Sequence, residues 1–211
     1  MFNPWQENTY IVYDTTGECV IIDAGCFNSK EERQLLDFIQ DNKLTVKHVL
    51  NTHLHIDHIM GNTFLKATYN LSPEAHETDE FLIDQTMAYA DQLGIRIQNE
   101  PPYPGKYLDE GQFVHCGNFK LEIFHVPGHT PGHLVFYLRE KNVTFTGDVL
   151  FFESIGRTDL IYGNYEVLLK GIQTKLMTLP DNTSVYPGYG NSTTIGYERL
   201  NNPFIKHMNI N

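Results

Sequence analysis

Cysteine is scarce in this chain. Cys19, Cys26 and Cys116 are the three in 211 residues, an odd number without a Cys-x-x-Cys pair. That pattern excludes a disulfide framework and points to a reducing compartment. Long apolar runs are also missing. Nothing approaches the roughly 20 residues that a membrane-spanning helix needs. The first ten residues hold neither a basic leader nor an extended apolar stretch, so a signal peptide is not expected. Basic residues are outnumbered, 15 against 26 acidic, for a net charge of −11, and they form no run. A nucleic-acid surface needs clustered Lys and Arg to replace counterions, so neither nucleic acid nor membrane is expected as a partner. The chain lacks a Gly/Ser linker, a low-complexity tract and a short-period repeat. No Ser-His-Asp or Cys-His nucleophile stands out. These absences describe a soluble cytoplasmic protein.

What is present is a chain that is 41% hydrophobic and long enough to bury a core without staples. We expect one domain spanning 1–211, although the length also allows two small ones. Residues 9–13 and 19–23 are rich in β-branched and aromatic side chains around a Gly17 turn, which reads as a hairpin. Ser29 to Glu32 has the form of a capping box ahead of Leu35, Leu36 and Ile39 at helical spacing. Residues 46–51 read as a buried strand and 67–71 as a short one. Ser72-Pro73-Glu74 reads as the start of a helix running to about Leu93. Residues 97–112 read as loop. Strands are expected at 119–125, 134–138, 143–146 and 184–187. Helices are expected at 165–178, capped by Asn164, and from Thr194 to Leu200. Interleaved strands and helices of this kind predict a layered α/β architecture with mixed sheets.

The strand at 46–51 delivers the densest chemistry in the chain, Thr52-His53-Leu54-His55-Ile56-Asp57-His58. His53 and His55 are two apart, so an extended backbone points them the same way. Asp57 and His58 follow and can face a second point. Imidazole nitrogen and carboxylate oxygen are ligands for zinc, and also for iron or manganese. Two further stretches carry candidate ligands at strand exits. His129 sits in the Pro127-Gly128-His129-Thr130-Pro131-Gly132-His133 loop, and Asp148 closes Thr146-Gly147-Asp148. Sites in α/β proteins are commonly built at strand ends in this way. The other histidines read differently: His48 as a core or edge residue, His125 and His133 as packing or supporting groups, and His76, His115 and His207 as surface residues.

The order HxHxDH, then a His in PGHTPGH, then TGD resembles the metallo-β-lactamase superfamily, and most closely its glyoxalase II branch. Ser154 to Asp159 and Thr194 to Phe204 are similar to short glyoxalase II-like hydrolases of bacteria. The resemblance implies a four-layer αββα sandwich with a dinuclear site holding one or two zinc ions. By that resemblance His53, His55 and His129 match the ligands of a first metal, Asp57 and His58 those of a second, and Asp148 the bridging carboxylate. Asp23 matches an acidic position that orients ligands, or is a turn Asp after a strand. Asp57 can also hold the attacking hydroxide in line.

The implied reaction is hydrolysis of S-acyl-glutathione thioesters such as S-lactoylglutathione, or of related small thioesters. Arg157 matches a basic position that meets the carboxylate end of glutathione; its alternative is a loop pairing with Asp159. The sequence holds no counterpart of the C-terminal helical domain of two-domain glyoxalase II enzymes, which widens the expected substrates. Gly-Arg-Thr-Asp also occurs in persulfide dioxygenases. A mononuclear iron centre on His53 or His55, His129 and Asp148 is therefore an alternative, and a metal-binding protein without turnover is another. One position departs from the family. The loop Pro187-Gly188-Tyr189-Gly190 has Tyr189 where the family has a histidine ligand of the second metal. A phenol, with a reference pKa of about 10, is a poor zinc ligand. We expect a weaker second site, with the Tyr189 hydroxyl available to substrate.

Overall fold

The computed structural model describes residues 1–97 and 99–206. Its contacts divide the chain into two compact units. One is Met1–Leu108 with His115–Phe119; the other is Asp109–Val114 with the chain from Lys120 onward.

In the first unit, β1 (Tyr10–Tyr13) and β2 (Glu18–Ile22) form the expected antiparallel hairpin. The helix α1 (Ser29–Asp41) leads to β3 (Thr45–Leu50), which lies parallel to β2. Two short parallel strands, β4 (Glu74–Ala75) and β5 (Lys106–Tyr107), complete a five-stranded sheet in the order β1-β2-β3-β4-β5. Three helices complete the unit: α2 (Ile56–Ile59), α3 (Asn62–Tyr69) and α4 (Phe81–Gln92). Leu35 and Ile39 lie four apart on α1, so they share a face, and both are buried with Leu65 of α3 against Ile21 and Val49 of the sheet. Leu54, Ile59, Ala75 and Ile83 form a smaller cluster under the histidine motif.

Three local expectations change here. The cap of α1 is Asn28, whose Oδ1 accepts from the amides of Lys30 (3.0 Å) and Glu31 (3.2 Å); Ser29 is already helical. Asparagine is at least as good a cap as serine, so the start moves back one residue. Residues 62–69 continue as α3, which ends at Asn70 in the left-handed conformation (φ 55°), in place of the expected strand. Glu74 and Ala75 are a strand, not a helix start, because the backbone of Glu74 pairs with Leu50 and accepts from the amide of Asn51 at 2.9 Å. Strand pairing with a distant segment overrides the Ser-Pro-Glu signal, and α4 begins only at Phe81.

The second sheet is also mixed. It is built from β6 (Phe113–Cys116), β7 (Phe119–His125), β8 (Leu134–Leu138), β9 (Val143–Gly147), β12 (Ser184–Pro187) and β13 (Thr193–Thr194). The order is β13-β12-β9-β8-β7-β6. The β9–β12 contact is parallel, while β7–β8, β8–β9 and β12–β13 are antiparallel. A two-stranded ribbon, β10 (Leu150–Phe151) and β11 (Ser154–Ile155), follows Asp148. Asn164 caps α5 (Tyr165–Gly171) as expected, accepting from the amide of Val167 at 3.1 Å. That helix widens into a π-type turn over Ile172–Leu176. The last helix is α6 (Ile195–Asn201). Leu168, Leu176 and Ile195 bury their side chains with Val126, Val135, Tyr137 and Val185. All five residues of β8 are buried, so this strand is covered on both faces. Each half thus carries a mixed sheet with helices packed on it. Among the described residues, no helix is long and apolar enough to cross a membrane.

Candidate metal centre

The first half of the site hangs on one carboxylate. Asp23 follows β2, donates its amide to the Leu50 carbonyl (2.9 Å) and adopts a left-handed φ of 51°. That turn aims its side chain at the exit of β3. Oδ1 accepts from the Thr52 amide at 2.7 Å, and Oδ2 from the Thr52 hydroxyl at 2.7 Å. His58 Nδ1 lies 3.1 Å from the same Oδ2. His53 Nδ1 lies 3.1 Å from the Thr52 hydroxyl oxygen. Asp23 accepts throughout, so both imidazoles carry their proton on Nδ1 and present an Nε2 lone pair. Fixing the tautomer through the far ring nitrogen is how proteins prepare histidine for a metal. Asp23, Thr52, His53 and His58 are all buried. Asp23 is thereby the orienting group, and the turn it makes serves that end.

The motif itself is compact. The ring centroids of His53 and His55 are 4.7 Å apart, and those of His53 and His58 are 4.2 Å apart. His55 caps α2, and the His58 amide donates to the His55 carbonyl at 3.0 Å. Buried Asn51 donates to the His58 carbonyl (2.9 Å) and accepts from Asn62 (2.9 Å), which locks the turn from below. His58 Nε2 and Asp57 Oδ2 are 3.6 Å apart.

The second half centres on His129 and Asp148. Gly128 has a φ of 128°, and a side chain there would run into Leu168 of α5. Only glycine brings the loop this close. His129 Nδ1 donates to the Arg157 carbonyl at 2.8 Å, which again presents Nε2. Nε2 stands 3.5 Å from Asp148 Oδ2. The Asp148 amide donates to His133 Nε2 at 3.0 Å, so His133 is a supporting group, as expected. Gly156 packs its Cα directly on the Asp148 carbonyl, where a Cβ would collide.

These donors fit a divalent metal. Two ligands at about 2.0–2.1 Å from one tetrahedral ion stand about 3.3–3.4 Å apart. The Asp57–His58 and His129–Asp148 pairs, at 3.6 and 3.5 Å, meet that spacing within each half.

Other expectations resolve as follows. The Arg157 guanidinium grips Asp159 with two bonds of 2.8 Å, which holds the Asp159 carboxyl down at about 2. Both side chains are largely exposed. Tyr189 is half-buried, 6.4 Å from the Phe151 ring. It lines a shallow pocket of about 370 Å³ with Phe151, Phe152, Ile155 and Asn191. His48 is half-buried on β3 and bonds Glu74. His115 is exposed and His76 half-buried; His207 lies outside the described residues.

Sequence reasoning missed Glu7. It is wholly buried, receives the Thr9 hydroxyl at 2.9 Å and lies 3.9 Å from His58 Nδ1. Its ligand atom lies within 4.8 Å of those of Asp23 and His58. Burial pushes the Glu7 carboxyl well above its usual range, against the pull of His58. A lone Glu ahead of a strand carries no local signal of such a role.

Comparison with known proteins agrees with this geometry. Residues 2–189 match the family described as the metallo-beta-lactamase superfamily. Hydroxyacylglutathione hydrolase GloC of Haemophilus influenzae is 37% identical over 203 residues, covering 95% of this chain and 93% of that protein. Among solved structures, BLEG-1 B3 metallo-beta-lactamase is 33% identical with a TM-score of 0.87, over 97% of this chain and 96% of that one. TTHA1623 in a di-iron-bound form is 36% identical with a TM-score of 0.85, over 96% and 97%.

Proposed function

The chain belongs to the metallo-beta-lactamase superfamily and is one of its metal-dependent hydrolases, and from that footing we propose that it cleaves small acyl thioesters, glutathione thioesters among them. In this reading His53, His55 and His129 would hold a first ion, Asp57 and His58 a second, and Asp148 would contribute to both. Zinc is the metal of first choice for this mix of imidazole and carboxylate; iron and manganese suit it too. Metal held there would supply a nucleophilic hydroxide at neutral pH and would polarise the scissile carbonyl.

The chain's own residues do the rest. Asp23 holds His53 indirectly, through the Thr52 hydroxyl, and holds His58 itself, so both rings keep one tautomer through the cycle. The Arg157 carbonyl does the same for His129. Asp57, half-buried where His58 is fully buried, is the carboxylate with access to solvent and takes the role of orienting the nucleophile and accepting its proton. Tyr189 faces the pocket beside Phe151 and offers a hydroxyl to the acyl or thiol part of the substrate. The pocket lining is aromatic and neutral, so it suits an uncharged group; Arg157 contacts an anionic end only by exchanging its Asp159 partner.

The observation that carries this reading is the pair of donor separations, 3.5 and 3.6 Å, with every paired Nδ1 already committed to an acceptor. The hydroxyacylglutathione hydrolase named above supports the choice of substrate class. The test is elemental analysis and hydrolysis of S-lactoylglutathione and of an uncharged thioester, on one sample each of wild type and Asp148→Ala. Wild type should hold metal and turn over at least one of the two. Asp148→Ala should lose most metal and nearly all hydrolysis. Full metal occupancy in Asp148→Ala, or metal-loaded wild type inert toward both thioesters, overturns the reading.

A further inference from the structure

The turn that precedes β1 is not used by the mechanism, yet it is tied to the motif more tightly than a leading segment needs to be. Phe2 is buried in the core cluster with Ile21 and Leu35. The Phe2 amide donates to the Glu7 carbonyl at 2.9 Å, which closes the turn. Asn3 sits inside it with a left-handed φ of 53° and is buried to 8% exposure. Its amide donates to Glu31 of α1 at 3.2 Å, and its Oδ1 accepts from the Trp5 amide at 3.1 Å. That leaves the side-chain NH2, which donates to two carbonyls, Gly25 at 3.1 Å and Asp57 at 2.9 Å. Fifty-four residues separate Asn3 from Asp57. Glu7, at the other end of the turn, places Oε1 3.9 Å behind His58. Gly25 completes the arrangement: a Cβ there would strike Glu7 Oε2 and come within 2.8 Å of both Asn3 Nδ2 and the Asp57 carbonyl.

We infer that the turn Phe2–Glu7 is a clasp that sets the position of Asp57 and His58, with Asn3 as its positioning residue. Asn3 is anchored on the core side by Phe2 and on α1 by Glu31, and it holds the main chain of Asp57 at a fixed distance from both. Asp57 is half-buried and is the second residue of the four-residue helix α2. A segment that short has little stability of its own, so an outside strut decides where its carboxylate points. Glu7 fills the space behind the His58 ring and stops it from backing away from the ligand position. The inference rests on the assignment of Asp57 and His58 to the second ion. It predicts that the clasp tunes that ion and not the first.

The test uses the full chain, stripped of metal and titrated with zinc against a competing chelator, so that the tighter and the weaker affinities are read separately. Asn3→Gly keeps the left-handed backbone and deletes the two donors; Asn3→Asp keeps the shape and turns the donors into acceptors. Both should weaken the second ion by about 10–100-fold, the range for groups that orient metal ligands, and leave the first unchanged. Asn28→Ala removes the cap of α1 and serves as a control for general loss of stability. It should lower the melting temperature and move neither affinity. The clasp is overturned if the Asn3 variants shift both affinities alike or neither, or if Asn28→Ala reproduces their effect. A wild type that binds a single ion also overturns it, and leaves the hydrolase reading intact. Selective weakening of the second ion in the Asn3 variants, with a metal-loaded wild type that hydrolyses no thioester, removes that reading and supports the clasp.

Discussion

Asp23 is the residue on which the first half of the site balances, and its removal has a calculable effect. Asp23→Ala strands three buried donors: the Thr52 amide, the Thr52 hydroxyl and His58 Nδ1. A buried donor left without an acceptor costs about 1–3 kcal/mol. The hydroxyl can rotate and the imidazole can change tautomer, so only the amide carries its full penalty, and the sum is about 3–5 kcal/mol. Against a domain stability of about 5–15 kcal/mol this leaves a folded but weakened protein. Asp23→Asn is the milder change. Asparagine tolerates the left-handed φ of 51° and keeps one acceptor oxygen, but it turns an NH2 toward a donor. About half the penalty is expected. Freed of its partner, His58 no longer holds one tautomer, so metal affinity should fall by about 10–100-fold. Urea unfolding of the metal-free chain and metal titration should both rank wild type above Asp23→Asn above Asp23→Ala. A loss of stability under about 1 kcal/mol in Asp23→Ala refutes the hydrogen-bond reasoning. A loss of stability without a loss of metal affinity refutes the orienting role.

Tyr189→His places an imidazole where the sequence resemblance expects a ligand of the second metal, and should tighten the weaker ion by at least about tenfold, or about 1.4 kcal/mol; an unchanged second affinity shows that the position does not govern that ion. Arg157→Ala should raise KM for a glutathione thioester more than for an uncharged one, with kcat and thermal stability little changed because the Asp159 pair is exposed. Equal KM effects on the two substrates assign Arg157 to the loop alone. Burial pushes the Glu74 carboxyl up, but the bonds from His48 and Lys106 outweigh it and hold the group below its ordinary value. A carboxyl with a lowered pKa adds stability above its unfolded pKa and loses it as pH falls through the folded one. Glu74→Gln should therefore destabilise by about 1 kcal/mol near pH 7, and the gap to wild type should close below about pH 4.5. Parallel urea curves from pH 3.5 to 7 would count against this. Burial pushes Cys19 and Cys26 up to about 12 and Cys116 to about 11. All three should resist iodoacetamide at pH 8 in the native protein and react only on unfolding; rapid native labelling would contradict their burial.

Candidate metal ligands were legible because chemistry restricts them to a few residue types and local backbone restricts their spacing. His53, His55, Asp57 and His58 lie within six residues, and His129 and Asp148 each sit at a strand exit that hydrophobic pattern alone locates. The hairpin of β1 and β2, the helix α1 and the capped α5 were legible for a similar reason, since caps, turns and periodicity act over a few residues. Where local signals competed with distant partners, they lost. Ser-Pro-Glu reads as a helix start, yet the Glu74 backbone pairs with Leu50 and becomes a strand.

The amino-acid sequence by itself therefore pointed to the superfamily and to a set of candidate metal ligands, because these depend on residue type at short spacing. Tertiary structure decided how the supporting groups reach them. Asp23 is 29 residues from Thr52 and 35 from His58. Asn3 reaches Asp57 across 54 residues. Arg157 spends its side chain on Asp159 and its carbonyl on His129. Such contacts leave no periodicity and need no special residue beyond a donor and an acceptor. They exist only once the strands of each unit have paired and brought distant turns together.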